Sequence, residues 1–132
     1  MSCAQESSRT PVRIEALSAV TLLTRDPARS IRFYESLGFE MEHGGANAPL
    51  TSFRAGTGHL NLLLAEDFEP RASWGRVIIY VSSVDAVYER ALAAGYSPEA
   101  PPRDAEWGER FFHLCDPDGH ELSFARPVDG AT

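Results

Sequence analysis

Residues 19–39 read AVTLLTRDPARSIRFYESLGF, and residues 76–96 read RVIIYVSSVDAVYERALAAGY. They are two copies of one pattern, 57 positions apart: Val20 matches Val77, Asp26 matches Ser83, Gly38 matches Gly95 and Phe39 matches Tyr96. Each copy opens on an apolar, β-branched run suited to a strand. In the first, Asp26 can accept hydrogen bonds from the free N–H groups of a helix's first turn, and Pro27 suits the first helical position. Ile31, Tyr34 and Leu37 then recur at helical spacing with Phe33 beside them, while Arg29, Arg32 and Glu35 take the wet side. Gly38 ends the helix, because a left-handed backbone costs little without a Cβ. In the second copy Ser82 or Ser83 caps, Val84, Val87, Tyr88, Ala91 and Leu92 form the buried side, and Gly95 stops the helix.

Working outward, Ala16–Thr24, Phe39–His43, Leu50–Arg54 and His59–Ala65 read as four strands around the first helix. The turns at Gly44-Gly45-Ala46-Asn47 and Gly56-Thr57-Gly58 separate them. Arg76–Val81, the short Tyr96–Ala100, Arg110–Cys115 and His120–Ala125 repeat that order around the second helix. Pro101–Gly108 reads as a loop, and Asp116-Pro117-Asp118-Gly119 as a hairpin turn. The expected fold is α+β: two tandem βαβββ modules whose curved mixed sheets enclose a cleft, with helices outside. A flexible or exchanging arm is expected over 1–13 and a single domain over 14–132. Within it, module one is 15–66, the linker 67–75 and module two 76–127.

The bulk numbers bound the function. The chain has 132 residues, 43% of them hydrophobic, enough for one domain with a real core. A net charge of −7 argues against nucleic acid and anionic membranes as partners. No apolar run approaches the roughly 18 residues of a membrane helix, and the first residues have neither the basic nor the apolar region of a signal peptide. Cys3 in a polar tail and Cys115 in a strand are expected to stay reduced, which suits a cytoplasmic protein.

Strand alternation divides the side chains. One face carries Val20, Leu22, Leu60, Leu62, Leu64, Val77, Ile79, Val81, Phe112, Leu114, Leu122 and Phe124, and should pack under the helices. The other carries Thr21, Asn61, Arg76, Ile78, Tyr80, Phe111, His113, Cys115, Glu121 and Ser123. It mixes aromatic and polar groups as a ligand cleft would. Placing His113 and Glu121 on one face requires an irregular corner at 116–119. His113 reads as a hydrogen-bonding wall residue and His120 as an exposed turn residue. None of His43, His59, His113 and His120 falls in a metal-binding spacing such as HxH or HExxH.

Three pieces, DPARSIRFYESLGF at 26–39, WGER at 107–110 and DPDGH at 116–120, together resemble the vicinal oxygen chelate superfamily of glyoxalases, extradiol dioxygenases, fosfomycin-resistance and bleomycin-resistance proteins. The likeness spans roughly residues 15–127. It implies a metal site in many members, with ligands at positions that here hold Ala19, Arg76 and Ser123, and a further carboxylate near Asn61. A divalent catalytic centre needs about three well-aimed His or carboxylate donors, and Ala and Arg supply none. No metal or other cofactor is therefore expected.

The stretch from Trp107 to Phe124 resembles the bleomycin-resistance proteins most. That likeness implies a homodimer that sequesters a cationic drug in clefts at its two-fold interface. The expected ligand is a small aromatic or heterocyclic molecule, stacked on rings such as Trp107, Phe111, Tyr80 and Trp74. The ligand-binding residues are expected among Thr21, Asn61, Arg76, Ile78, Tyr80, Trp107, Phe111, His113, Glu121 and Ser123. Trp107 could equally plug its loop against the sheet, and Arg76 either meets an anionic group or neutralises Glu121 or Glu109. The alternative is an enzyme of the glyoxalase superfamily, a lyase, isomerase or dioxygenase acting on a small organic acid or thiol adduct. There His113 would serve as base with Glu121 as its orienting acid, and Cys115 is the weaker nucleophile.

Overall fold

A computed structural model describes residues 10–71 and 74–128. The elements run β1 (Ala19–Thr24), α1 (Pro27–Ser36), β2 (Glu40–His43), β3 (Leu50–Ala55), β4 (Gly58–Leu64), β5 (Arg76–Tyr80), α2 (Val84–Ala93), β6 (Arg103–Asp104), β7 (Glu109–Cys115) and β8 (Glu121–Pro127). They form two four-stranded mixed sheets of identical order, β1-β4-β3-β2 and β5-β8-β7-β6, with β1 parallel to β4 and β5 parallel to β8. The tandem βαβββ reading therefore holds, and no barrel closes.

Both helices start as their caps dictate. Asp26 accepts from the Arg29 N–H with Pro27 in the first turn, and Ser83 accepts from the Ala86 N–H. Gly38 and Gly95 follow the last turns at φ 113° and 91°. Nothing lies within 4 Å of a Cβ built on Gly95, so Gly95→Ala isolates backbone strain from crowding. It is expected to lower stability by about 1–2 kcal/mol, measured as a fall in Tm without loss of fold.

The face expected beneath the helices does form the core. Leu22, Leu60, Leu62, Phe112, Leu114, Leu122 and Phe124 are buried and join Ile31, Phe33, Tyr34 and Phe53 of module one with Val84, Val87 and Ala91 of module two in one cluster. Rings cross the module boundary, Phe33 to Tyr96 at 4.8 Å and Phe39 to Phe124 at 6.5 Å. Burying a ring such as Phe124 contributes on the order of 2–3 kcal/mol. The two helix-covered faces thus share one core, and the opposite face of each sheet is left uncovered.

Three details differ from the sequence reading. Tyr96–Ala100 is not a strand. The sixth strand comes later, at Arg103–Asp104, inside the expected loop. Pro98, Pro101 and Pro102 lack the N–H a ladder needs, and before Arg103 this stretch reaches β7 by Glu99 N–H to His113 O, at 3.0 Å. Leu92 is exposed, at the margin of a stripe made by Val84, Val87, Tyr88 and Ala91. Arg29 is half-buried rather than wet, for a reason given below. Of the expected arm, residues 10–13 are described and exposed, and 1–9, with Cys3, lie outside the described residues. No helix among the described residues is long and apolar enough to cross a membrane.

Candidate functional site

The uncovered face of module two is set by its ladder. Register places Arg76, Glu121 and Cys115 in one row, then Ile78, Ser123 and His113, then Tyr80, Ala125, Phe111 and Arg103. The central strand β8 contributes only the small Ser123 and Ala125 to the last two rows. They make a floor between larger walls on β5 and β7, about 9–10 Å apart by two strand spacings. The face is a shallow trough, with rings at one end and charges at the other.

At the ring end, Trp107 stacks on Phe111 with centroids 5.7 Å apart, and the Arg103 guanidinium lies 4.4 Å from the Phe111 centroid. Glu109 ties the walls together. It accepts from Trp107 Nε1 at 3.1 Å and from the Tyr80 hydroxyl, and that second bond holds the Tyr80 pKa above its ordinary value. Trp107 is 71% exposed, Ile78 62% and Tyr80 60%. Trp107 is therefore no plug; it stands free above Phe111.

At the polar end, Arg76 Nη2 donates to Glu121 at 3.2 Å, so the guanidinium neutralises that carboxylate. His113 and Glu121 do share a face, because the five-residue connection 116–120 keeps Cys115 opposite Glu121. They do not form the expected dyad. His113 sits opposite Ser123, and its carboxylate neighbour is Glu99, 3.6 Å from Nδ1. Burial, then the Arg76 charge, push the His113 pKa down, while Glu99 pulls it up. An NMR titration of the imidazole is expected to place its midpoint below the ordinary value of about 6.5. Glu99→Gln should lower it further, and Arg76→Ala should raise it. Burial, then Glu121, raise the Cys115 pKa, which leaves a protonated thiol and a poor nucleophile.

Thr21 and Asn61 lie on the other sheet, where Asn61 donates to Thr21 at 3.2 Å and accepts from Ser52 at 2.6 Å. A bulge between Met41 and His43 turns Glu42 onto that face, where it accepts from His59 at 2.9 Å and pairs with Arg54. The face mixes these polar groups with Leu50 and Leu63 and carries no aromatic cluster like the ring end of module two.

The 116–120 corner was legible as a turn but not as a buried lock between modules. The Asp118 side chain has no exposed surface; Thr24 and Ser30 hydroxyls, the Arg25 N–H and Nε, and Arg29 Nη2 all donate to it. Asp116 accepts from the Tyr34 hydroxyl at 2.6 Å. His120, expected to be an exposed turn residue, is buried. Its Nδ1 accepts from Trp74 Nε1, its Nε2 donates to Leu23 O at 2.8 Å, and its ring stacks on Phe68. Trp74 is accordingly engaged with the corner and not with the trough. The other residues missed at the site, Glu99 and Arg103, follow the prolines that obscured β6.

The family model for the glyoxalase/bleomycin resistance protein/dioxygenase superfamily matches residues 16–124. The chain belongs to this superfamily. Rv0887c of Mycobacterium tuberculosis, a protein of uncharacterised function, is 25% identical over 94% of this chain and 82% of its own. A bleomycin-binding protein crystallised with bleomycin shares the fold at TM-score 0.69 and 24% identity, covering 87% of this chain and all of that one. A lactoylglutathione lyase from Agrobacterium tumefaciens does so at TM-score 0.67 and 21% identity, covering 85% and 93%. Likeness at these identities fixes the fold and leaves the reaction open.

The superfamily's metal positions can be tested on this geometry. Ala19 has no donor atom, Arg76 is a cation held on Glu121, Asn61 has its amide bonded to Ser52 and Thr21, and Ser123 is a buried hydroxyl on the trough floor. Among the described residues no three His, Cys, Asp or Glu side chains are grouped to hold an ion. The residues at these positions do not fit a divalent metal.

Proposed function

We propose that the protein is a small-molecule-binding protein of the bleomycin-resistance type. It sequesters an aromatic or heterocyclic ligand, without a metal, in a cleft completed at a two-fold dimer interface. The observation that carries this reading is the exposed apolar cluster of the Trp107 and Tyr80 rings with Ile78 over a floor of Ser123 and Ala125. A contiguous exposed apolar patch rimmed by charge marks an interaction site, and planar rings stack on rings. Arg76 is paired with Glu121 and Arg103, which lies over Phe111, is paired with Glu99 at 3.5 Å, so both guanidinium charges near the trough are offset and Glu109 supplies the negative charge beside the rings.

A second copy completes the cleft in this reading. Both outer sheet faces are open, and Val12 and Ile14, 73% and 86% exposed, alternate with Arg13 and Glu15 as a strand would. An arm with that pattern suits exchange onto the partner, as an edge strand adding to a neighbouring sheet. Reduced thiols suit a cytoplasmic setting for the dimer.

One observation favours an enzyme instead. His113 lies 3.6 Å from Glu99, and burial lowers its pKa, which favours the neutral imidazole a general base requires. The two readings separate in one experiment. Trp74→Phe leaves Trp107 as the only indole, and its emission is followed while bleomycin and planar aromatic cations are added. Saturable quenching by intact ligand supports sequestration. No response to the panel, together with turnover of a small acid that His113→Ala abolishes while affinity persists, would establish the enzyme.

A further inference from the structure

We propose that the hollow between residues 67–71 with Trp74 and the edge of β1 is a second binding site, specific for a small organic cation. It encloses about 500 Å³, within the usual range of small-molecule sites, roughly 300–1,000 Å³. Its walls are Phe68, Trp74 and His120, with Leu23 beneath and Asp67 and Glu69 at the lip. It lies against module one and rests on neither the trough nor the function read there.

The hollow is held in shape. Phe68 stacks on His120 at 5.4 Å, Trp74 meets the same imidazole edge-on at 5.6 Å, and a Cβ built on Gly119 would stand 3.6 Å from the Pro70 side chain. Phe68 and Trp74 are therefore both fastened to the buried corner through His120, with Pro70 close to Gly119.

The donor and acceptor inventory selects the ligand's charge. The Trp74 N–H can only donate, so His120 Nδ1 is the acceptor and Nε2 carries the proton that bonds Leu23 O. Both ring nitrogens and the indole N–H are thus committed, and these walls offer only π faces. What remains at the lip is two carboxylates against the single guanidinium of Arg71. Among the described residues Asp67 and Glu69 have no ion-pair partner. Aromatic surface beside uncommitted carboxylates attracts an alkylated ammonium with an apolar body, through its charge to both.

Trp107→Phe leaves Trp74 as the only indole, and its Nε1–H resonance reads the hollow directly. The probes are benzyltrimethylammonium, choline, the uncharged choline isostere 3,3-dimethylbutan-1-ol, and phenylacetate. Saturable shifts are expected with both cations, at least about tenfold weaker binding of the isostere, and no response to phenylacetate. Asp67→Asn with Glu69→Gln, both at exposed positions, should weaken the cations about tenfold without changing Tm. The proposal is overturned if neither cation saturates, if the isostere or phenylacetate binds as well, or if the double variant binds unchanged. A cation that shifts Trp107 in the Trp74→Phe protein but leaves Trp74 unmoved in Trp107→Phe also overturns it, and leaves the trough's function standing.

Discussion

Asp118→Ala is expected to cost the fold about 3 kcal/mol, read as a drop of about 1–2 M in the urea midpoint. Two fully buried hydroxyls, Thr24 and Ser30, point at this carboxylate; with it gone they can share only the 2.9 Å bond between them, and one donor is left without an acceptor inside the core. A buried donor left without a partner costs roughly 1–3 kcal/mol. The Arg25 and Arg29 side chains, 40% and 37% exposed, can turn to water, which keeps the loss at the lower end for a broken buried ion pair. Asp118→Asn retains an acceptor and should lose less. Acid separates the charge from the shape. Burial alone would raise the Asp118 pKa, but hydrogen bonds from Thr24, Arg25 and Ser30 outweigh it and hold it below the ordinary carboxylate value. Its charge therefore stabilises the fold above the unfolded value near 3.9, and that contribution is lost as pH falls through the lower folded value. The gap between wild type and Asp118→Asn should close at the acid end. Asp116 runs the other way, its pKa raised by burial against the Tyr34 bond, so its ionisation opposes folding as pH rises through the raised value. An Asp118→Asn protein as stable as wild type at pH 7 would show that the charge carries no weight, and an Asp118→Ala protein as stable as wild type would show that the lock carries none.

The duplicated strand–cap–helix–glycine pattern made most of the architecture legible, because caps, stop glycines and period-2 alternation are local chemistry. Asp26, Ser83, Gly38 and Gly95 do what those residue types do anywhere. Alternation also sorted the faces, and eight of the ten residues expected in the cleft lie on or beside one sheet face. What stayed hidden depends on non-local packing. His120 has the sequence context of a surface turn, and only the docking of the corner against Leu23, Phe68 and Trp74 buries it. Glu99, not Glu121, reaches His113 because a proline-rich stretch runs alongside β7 without forming a ladder. Thr21 and Asn61 share the alternation of the cleft residues but sit on the other module, and one sequence cannot say which sheets come together. Superfamily likeness added the positions at which a metal would be held, and the side chains present there answered against it.

Trp107→Ala is expected to weaken a planar ligand at least about 30-fold, the loss of some 2 kcal/mol typical of an aromatic anchor, while stability stays within about 0.5 kcal/mol of wild type. The two expectations follow from one geometry. Trp107 is mostly exposed, held by a stack on Phe111 and one bond to Glu109, so little of the fold depends on it. The same exposure presents a free indole face to the solvent, where a flat ligand would exchange hydration for ring contact. Trp107→Phe keeps a ring and should retain part of the affinity. Glu109→Gln should weaken a cationic ligand while sparing a neutral one of the same shape, since the amide oxygen can still accept from Trp107 and the amide NH2 can donate to the Tyr80 oxygen, but the charge is gone. If calorimetry found Trp107→Ala binding bleomycin or a planar dye as tightly as wild type, the ring cluster would not be the ligand's platform, and the trough would have to work through His113 and Glu99 instead. That outcome would move the centre of the site from the Phe111 row to the His113 row, one row along the same strands, where proton transfer rather than stacking is the chemistry on offer.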